Sequence, residues 1–350
     1  MAAIELPEEP RRILIIKPSA LGDIVHTLPI LNLLRTRWSR AHISWLVTPG
    51  FAGLLEGHPQ LDEVIRFERR RFGHSWWHPG SAVGLIQFVR ALRQKRFDLV
   101  IDLQGLFRSG WLAWVTGSRA RIGFADAREL GWMFYTHRVP VHTWDQHALE
   151  RYLSIAEALG CGRRPVGFQF PPMEALIPPI VEPYAVLLPG TNWETKRWPI
   201  ESFAQLVGPL RERFGLRSVV AGANDAIELA TRLRALAEGE QVIDRTGKTS
   251  LRQLVSLLAG AAVVVANDSG PMHIASALGR PMVTMFGPTN SIRTGPYERL
   301  DTVVRLDIVC SPCYSRRCSH QSCLKWLEVE SVLAAIAQQL GTRNGKMVRS

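Results

Sequence analysis

Asn267-Asp268-Ser269-Gly270-Pro271-Met272-His273 follows the apolar run Ala261 to Ala266 and opens the apolar-periodic segment Ile274 to Leu278. The order reads as strand, tight polar turn, helix. A helix that starts at such a turn aims unpaired backbone N–H groups and the positive end of its dipole at one point. That point is suited to phosphate or another anion. Asp268 and His273 beside it suit a ligand that carries hydroxyls as well as phosphates.

Working outward, the same alternation recurs on both sides. Strands are predicted at Tyr184 to Leu188, Ser218 to Ala221, Gln241 to Asp244, Ala262 to Ala266 and Met282 to Phe286. Helices are predicted at Ile200 to Phe214, Asp225 to Ala237, Leu251 to Leu258, from Pro271, and at Glu328 to Leu340. Toward the N-terminus the pattern gives strands at Arg12 to Lys17, Ile43 to Val47, Val64 to Phe67, Asp98 to Leu103 and Ala120 to Phe124. Helices there cover Leu21 to Trp38, Gly80 to Gln94, Leu106 to Thr116 and His147 to Leu159. Strands alternating with helices imply parallel sheets covered on both faces. Between the halves lies a Pro-rich stretch, Gly162 to Pro183, of the kind that links domains. The fold class expected is therefore α/β, two doubly wound Rossmann-like domains facing a central cleft, the GT-B architecture of many nucleotide-sugar glycosyltransferases. The boundaries expected are a first Rossmann-like domain at 1–165, a linker at 166–183, a second Rossmann-like domain at 184–327, and a C-terminal helix and tail at 328–350.

The chain has 350 residues, a length that fits two domains. No stretch approaches the roughly 20 apolar residues of a membrane span. Residues 1–12 lack the apolar region of a secretory signal, so a cytoplasmic protein is expected. The formal charge is +11, carried almost wholly by Arg, since only six residues are Lys. That charge fits a polyanionic partner such as an anionic membrane face or a phosphorylated glycolipid; Arg-rich codon usage is the other reading. No nucleic-acid-binding motif accompanies it, which argues against a nucleic-acid partner.

Polar clusters fall where an open parallel sheet binds ligands, at the carboxyl ends of strands. Lys17-Pro18-Ser19-Ala20-Leu21-Gly22-Asp23 leaves the first strand. Asp23 sits at a helix start, where it either complements the dipole or accepts a proton from an acceptor hydroxyl. Asp102-Leu103-Gln104-Gly105-Leu106-Phe107-Arg108 leaves another strand, and Asp102 either lines the site or closes the turn. In Pro189 to Pro199, Thr191 and Asn192 offer hydrogen bonds and Lys196 offers a compact charge for a phosphate. Thr246-Gly247-Lys248-Thr249-Ser250 resembles the end of a P-loop, but Val242 occupies the place of its first Gly. It reads as a loop lining a nucleotide pocket, with Ser250 capping the next helix. Cys310, Cys313, Cys318 and Cys323 give C-x2-C-x4-C-x4-C with His320 inside, either a structural zinc site or a set of reduced or redox-paired thiols.

Four of these motifs together, KPSALGD (17–23), DLQGLFRSG (102–110), PGTNWETKRWP (189–199) and NDSGPMHIASALGRPMVTMFGPT (267–289), resemble the glycosyltransferase family 9 heptosyltransferases, most closely the lipopolysaccharide heptosyltransferase I type. The resemblance runs from about Arg12 to Leu340. It implies inverting, metal-independent transfer of heptose from ADP-L-glycero-D-manno-heptose to the Kdo region of nascent lipopolysaccharide, with no cofactor. By resemblance Asp23 is the catalytic base and Lys196 contacts the donor phosphates. Thr191, Asn192, Asp268, Ser269, Gly270 and His273 are donor contacts, and Asp225 lies near an acid that holds the ribose. Lys248 and Thr249 join the donor side; Lys17, Ser19, Gly22, Asp102, Gln104 and Arg108 are acceptor-side candidates. The acceptor, of Kdo-lipid A type, implies peripheral contact with the cytoplasmic face of an anionic inner membrane, for which Arg69, Arg70 and Arg71 beside Trp76 and Trp77 are candidates.

Overall fold

A computed structural model describes residues 4–6, 8–68, 79–141, 145–237 and 242–346. The proposed membrane-contact residues Arg69, Arg70, Arg71, Trp76 and Trp77 lie outside them. The chain divides into two units, residues 1–172 and 173–350.

In the first unit, β1 (Arg12–Ile16), β2 (His42–Val47), β3 (Glu63–Arg66), β4 (Leu99–Asp102), β5 (Ala120–Phe124) and β6 (His137–Val139) form one sheet in the order β3-β2-β1-β4-β5-β6. Every pairing is parallel. Helices α1 (Leu21–Arg37), α2 (Pro79–Gln94), α3 (Phe107–Val115) and α4 (Ala148–Ala158) connect or flank the strands. β1 does not alternate: Ile13, Leu14, Ile15 and Ile16 are all fully buried, as expected of a strand covered on both faces. Leu14, Ile16, Leu46 and Val100 pack with Leu112 of α3 and Leu92 of α2 on one side.

The second unit repeats the plan. Strands β7 (Tyr184–Leu188), β8 (Arg217–Val220), β9 (Val242–Asp244), β10 (Val263–Asn267), β11 (Met282–Phe286) and β12 (Val303–Arg305) run parallel in the order β12-β11-β10-β7-β8-β9. Its helices are α5 (Ile200–Gln205), α6 (Val207–Phe214), α7 (Ile227–Leu236), α8 (Leu251–Gly260), α9 (Gly270–Ala277) and α10 (Val329–Lys346). Both sheets reverse their strand order once, between β1 and β4 and between β7 and β10. These reversals are the switch points at which doubly wound sheets open to ligands.

Three differences from the sequence reading have local causes. The helix predicted over Ile200 to Phe214 is two, because Pro209 has no N–H to donate to the Gln205 carbonyl and the chain tightens there, Leu206 N–H turning to Phe203 O at 3.2 Å. The C-terminal helix is no appendage: Val332, Leu333 and Ile336 sit in the same core as Leu187, Phe203 and Val265. Trp198 also donates its ring N–H to the Leu327 carbonyl at 3.0 Å. The Pro-rich stretch forms neither helix nor strand over residues 161–183, yet each half is docked. His58 Nε2 meets the Gln169 carbonyl at 2.9 Å in the first unit; in the second, Arg245 donates to the Ile177 carbonyl at 3.0 Å and Ser256 to the Glu174 carbonyl at 2.6 Å.

Candidate functional site

At the switch point of the second unit, β10 ends in Asn267, whose side chain is fully buried. Its amide donates to the Pro189 carbonyl at 2.8 Å and its carbonyl accepts from the Trp198 N–H at 3.0 Å. One side chain thus fixes both ends of the loop that leaves β7. Between these anchors Thr191 Oγ1 donates to the Trp193 carbonyl at 2.5 Å, and Arg197 donates to the Thr191 carbonyl at 3.1 Å. Asn192 is exposed. The loop swings Lys196 across the gap until its Nζ lies 2.7 Å from Asp268 Oδ2, with Lys196 16% and Asp268 6% exposed. Thr289 Oγ1 donates to the same carboxylate oxygen at 2.6 Å, and the Lys196 ammonium lies 4.6 Å from the Trp193 ring centre.

The next residue, Ser269, caps α9 without using its hydroxyl: Ser269 Oγ is buried and has no hydrogen-bond partner among the described residues. Gly270 and Pro271 begin the helix and His273 is buried on its first turn. A buried hydroxyl at the positive end of a helix, beside an ammonium group, is an anion-binding arrangement.

The neighbouring strands extend this surface. Asp225 is exposed on the turn Asn224–Ala226 after β8. Gly247 N–H donates to the Gly222 carbonyl at 2.9 Å. A Cβ on Gly247, whose φ is +69°, would lie 2.5 Å from Asn224 Oδ1, so only glycine allows these loops to touch. Gly190 meets the same turn through Ala226. Lys248 is 60% exposed and paired with Asp244 Oδ2 at 3.0 Å, and Thr249 is half-buried beside it. Ser250 does cap α8, its Oγ accepting from Gln253 N–H at 3.1 Å while Gln253 Oε1 accepts from Ser250 N–H at 3.0 Å.

At the first unit's switch point the roles differ. Asp23, on the first turn of α1, accepts from the Ala20 N–H at 3.2 Å through Oδ2 and from the Tyr152 hydroxyl at 2.8 Å through Oδ1. Lys17 Nζ lies 3.7 Å from Asp23 Oδ2 and donates to the Leu103 carbonyl at 3.1 Å. Burial pushes the Lys17 ammonium below its ordinary range, against the pull of Asp23 and Asp102. Ser19 is half-buried, Gly22 buried, Gln104 half-buried and Arg108 exposed at the start of α3.

Two acceptor-side candidates have their polar groups engaged within the first unit. Lys17 is 3% exposed, and its ammonium donates to the Leu103 carbonyl and lies beside Asp23. Asp102 is fully buried. It accepts from the N–H groups of Gln104 at 2.8 Å and Gly105 at 3.2 Å and from the Tyr135 hydroxyl at 2.6 Å, so it closes the turn. Burial raises its pKa, with these donors pulling the other way. Sequence reasoning missed Tyr152, Tyr135 and Thr289. The signal for Tyr152 was available: a tyrosine on the buried face of an amphipathic helix needs a partner for its hydroxyl.

Comparison with known proteins places the chain in a family. Residues 85–324 match the family model described as glycosyltransferase family 9 (heptosyltransferase). The chain is 36% identical to lipopolysaccharide heptosyltransferase 1 of Pseudomonas aeruginosa, over 89% of this chain and 88% of that one. It is 32% identical to the Escherichia coli heptosyltransferase 1, over 84% and 93% respectively. Among solved structures, E. coli heptosyltransferase WaaC with ADP-2-deoxy-2-fluoro heptose superposes with a TM-score of 0.76 at 31% identity, covering 93% of this chain and 99% of that one.

Proposed function

Because the chain belongs to glycosyltransferase family 9, the heptosyltransferases, we propose for it an inverting transfer of heptose from ADP-L-glycero-D-manno-heptose to the Kdo region of nascent lipopolysaccharide. The observation that carries the donor side is the Lys196–Asp268 pair beside the unpartnered Ser269 hydroxyl.

The chemistry follows from the two switch points. An acceptor hydroxyl attacks the anomeric carbon, the bond to the diphosphate breaks, and the configuration inverts. The hydroxyl proton passes to Asp23, which Tyr152 and Ala20 hold in one orientation. The departing ADP gains negative charge on its terminal phosphate. Lys196, the Ser269 hydroxyl and the N–H groups opening α9 are fixed donors for that charge, the task a bound cation performs in other transferases. Asp268, Gly270 and His273 border the sugar, while Thr191, Asn192, Asp225, Lys248 and Thr249 border the nucleotide. Ser19, Gly22, Gln104 and Arg108 remain on the acceptor side.

The acceptor is a lipid, and no described helix is long and apolar enough to cross a membrane. Contact with the cytoplasmic face is then peripheral, drawn by a charge of +11. The test of the reaction is mass spectrometry of Kdo-lipid A incubated with ADP-heptose, GDP-mannose or UDP-glucose, without added Mg²⁺. A heptose added only from the ADP-sugar supports the reading. Transfer from another donor alone, or strict dependence on Mg²⁺, contradicts it.

A further inference from the structure

Residues 306–321, which follow β12, contain neither helix nor strand. Stretches of this length inside a compact domain are uncommon unless something else holds them. This one is largely exposed, with Val309 and Tyr314 facing solvent. It also turns sharply at two non-glycine residues with left-handed backbone, Tyr314 (φ 54°) directly after Cys313 and Gln321 (φ 48°) three residues after Cys318. Such conformations persist only where their surroundings enforce them.

What the stretch does possess is sulfur. Cys310, Cys313, Cys318 and Cys323 line one cavity of about 360 Å³ with Thr195, Pro288 and His320. They are brought there from fixed backbone. Cys313 and Tyr314 both donate their N–H groups to the Pro288 carbonyl, at 3.1 and 2.7 Å, and Ser311 Oγ donates to the Gly287 carbonyl at 2.6 Å. Gln321 N–H donates to Cys318 Sγ at 3.3 Å, which fixes that sulfur against the turn. Cys323 is buried at the inner wall, where Gly287 leaves room for its sulfur: a Cβ there would lie 2.9 Å away.

We propose that Cys310, Cys313, Cys318 and Cys323 form a four-thiolate tetrahedral site for a thiophilic divalent cation of the zinc class, which holds this loop against the donor segment. In the described conformation no three such side chains are yet gathered to ligand distance. Zinc–sulfur bonds of about 2.3 Å require the sulfurs to converge, and Cys310 and Cys313, being exposed, are the side chains that would move. Binding displaces the thiol protons into solvent and involves no change of oxidation state. Four thiolates complete a tetrahedral set, so His320, whose Nδ1 meets the Ser322 hydroxyl at 3.0 Å, is not required as a ligand. The consequence for the donor site is direct. Ser315 accepts from Thr195 Oγ1 at 2.9 Å, and the Arg316 guanidinium lies 4.6 Å from the Trp193 ring centre, one and three residues from Lys196.

The test uses the full chain purified under reductant without chelator. Elemental analysis should find about one zinc-class cation per chain. Stripped protein titrated with Co²⁺ should develop the intense visible bands of a tetrahedral thiolate complex, and His320→Ala should leave them unchanged. The double variant Cys310→Ser/Cys313→Ser should lose both stoichiometry and spectrum while far-UV circular dichroism shows a folded chain. Cys161→Ser should keep both, since its thiol, raised by burial to about 12, lies in the other unit. Donor KM should rise up to about tenfold in the double variant through misplacement of the Trp193–Lys196 segment. This last readout rests on the proposed reaction; the metal readouts do not. A wild type that binds Co²⁺ no better than the double variant, or that is isolated with a Cys310–Cys313 disulfide and no metal, overturns the site.

Discussion

The two switch points use the same pair of residue types with the exposure inverted. In the first unit the cation is sealed in, Lys17 at 3% exposure, and the carboxylate of Asp23 is presented at 35%. In the second the carboxylate is sealed in, Asp268 at 6%, and the ammonium of Lys196 is the more open partner at 16%. The buried partner is fixed by its neighbours in each case, Lys17 by the Leu103 carbonyl and Asp268 by Thr289. One fold built twice therefore presents a carboxylate in one copy and an ammonium group in the other. The proposed reaction assigns the first to the incoming hydroxyl and the second to the leaving diphosphate.

The comparison breaks most readily at Asp23. Asp23→Asn keeps the shape and removes the base, and turnover should fall about 10²–10⁴-fold while calorimetry finds ADP affinity unchanged. A variant that keeps more than about a tenth of its turnover leaves the first switch point without a catalytic role. Lys196→Gln comes next. Loss of one fixed donor to a developing charge costs about 10²–10³ in kcat, and steady-state kinetics should show kcat falling more than KM rises. An effect confined to KM would make Lys196 a ground-state contact and erase the contrast between the two ammonium groups.

Smaller effects test the sealing partners. Tyr152→Phe removes the hydroxyl that orients Asp23 Oδ1. A hydrogen bond to a charged group is worth about 1.5 kcal/mol, so kcat should drop about tenfold, with thermal unfolding little changed. An unaltered kcat would show that Ala20 and Lys17 suffice. The smallest effect concerns Asp102. Burial holds its pKa above the ordinary carboxylate range, so folding favours the neutral acid. Its contribution is full below the unfolded value of about 3.9 and fades as pH rises through the folded value. Asp102→Asn, neutral throughout, should gain on the wild type in urea midpoint as pH rises from 4 to 8. If the wild type gains instead, Asp102 is ionised in its turn.

Most of this architecture was legible because each polar cluster follows an uninterrupted apolar run. Val263–Asn267 and Tyr184–Leu188 announce buried parallel strands, and what comes after them must lie at their carboxyl ends. The edge strands His137–Val139 and Val303–Arg305 were not legible, since three residues carry no period. Side-chain direction was equally hidden. Lys17 and Lys196 both follow a central strand, β1 and β7, yet one turns inward to a carbonyl from β4's loop and the other reaches across to Asp268 after β10. The partners that decide this, Tyr152 for Asp23 and Thr289 for Asp268, are separated from them by 129 and 21 residues. Tyr152 lies outside the 17–23 motif altogether, and Thr289 closes the 267–289 stretch with no local pattern that marks it as the partner of Asp268.

Asn267 ties the carbonyl of Pro189 and the N–H of Trp198 with one amide, so Gly190–Arg197 is a cassette held at both ends by a residue outside it. The strands beneath need not register what the cassette contains. Closing a tethered loop depends only weakly on its length, so sequences of other lengths can be exchanged between these two anchors while the sheet keeps its order. A graft of this one segment has to return a cation to the place of Lys196 and leave the amide of Asn267 intact.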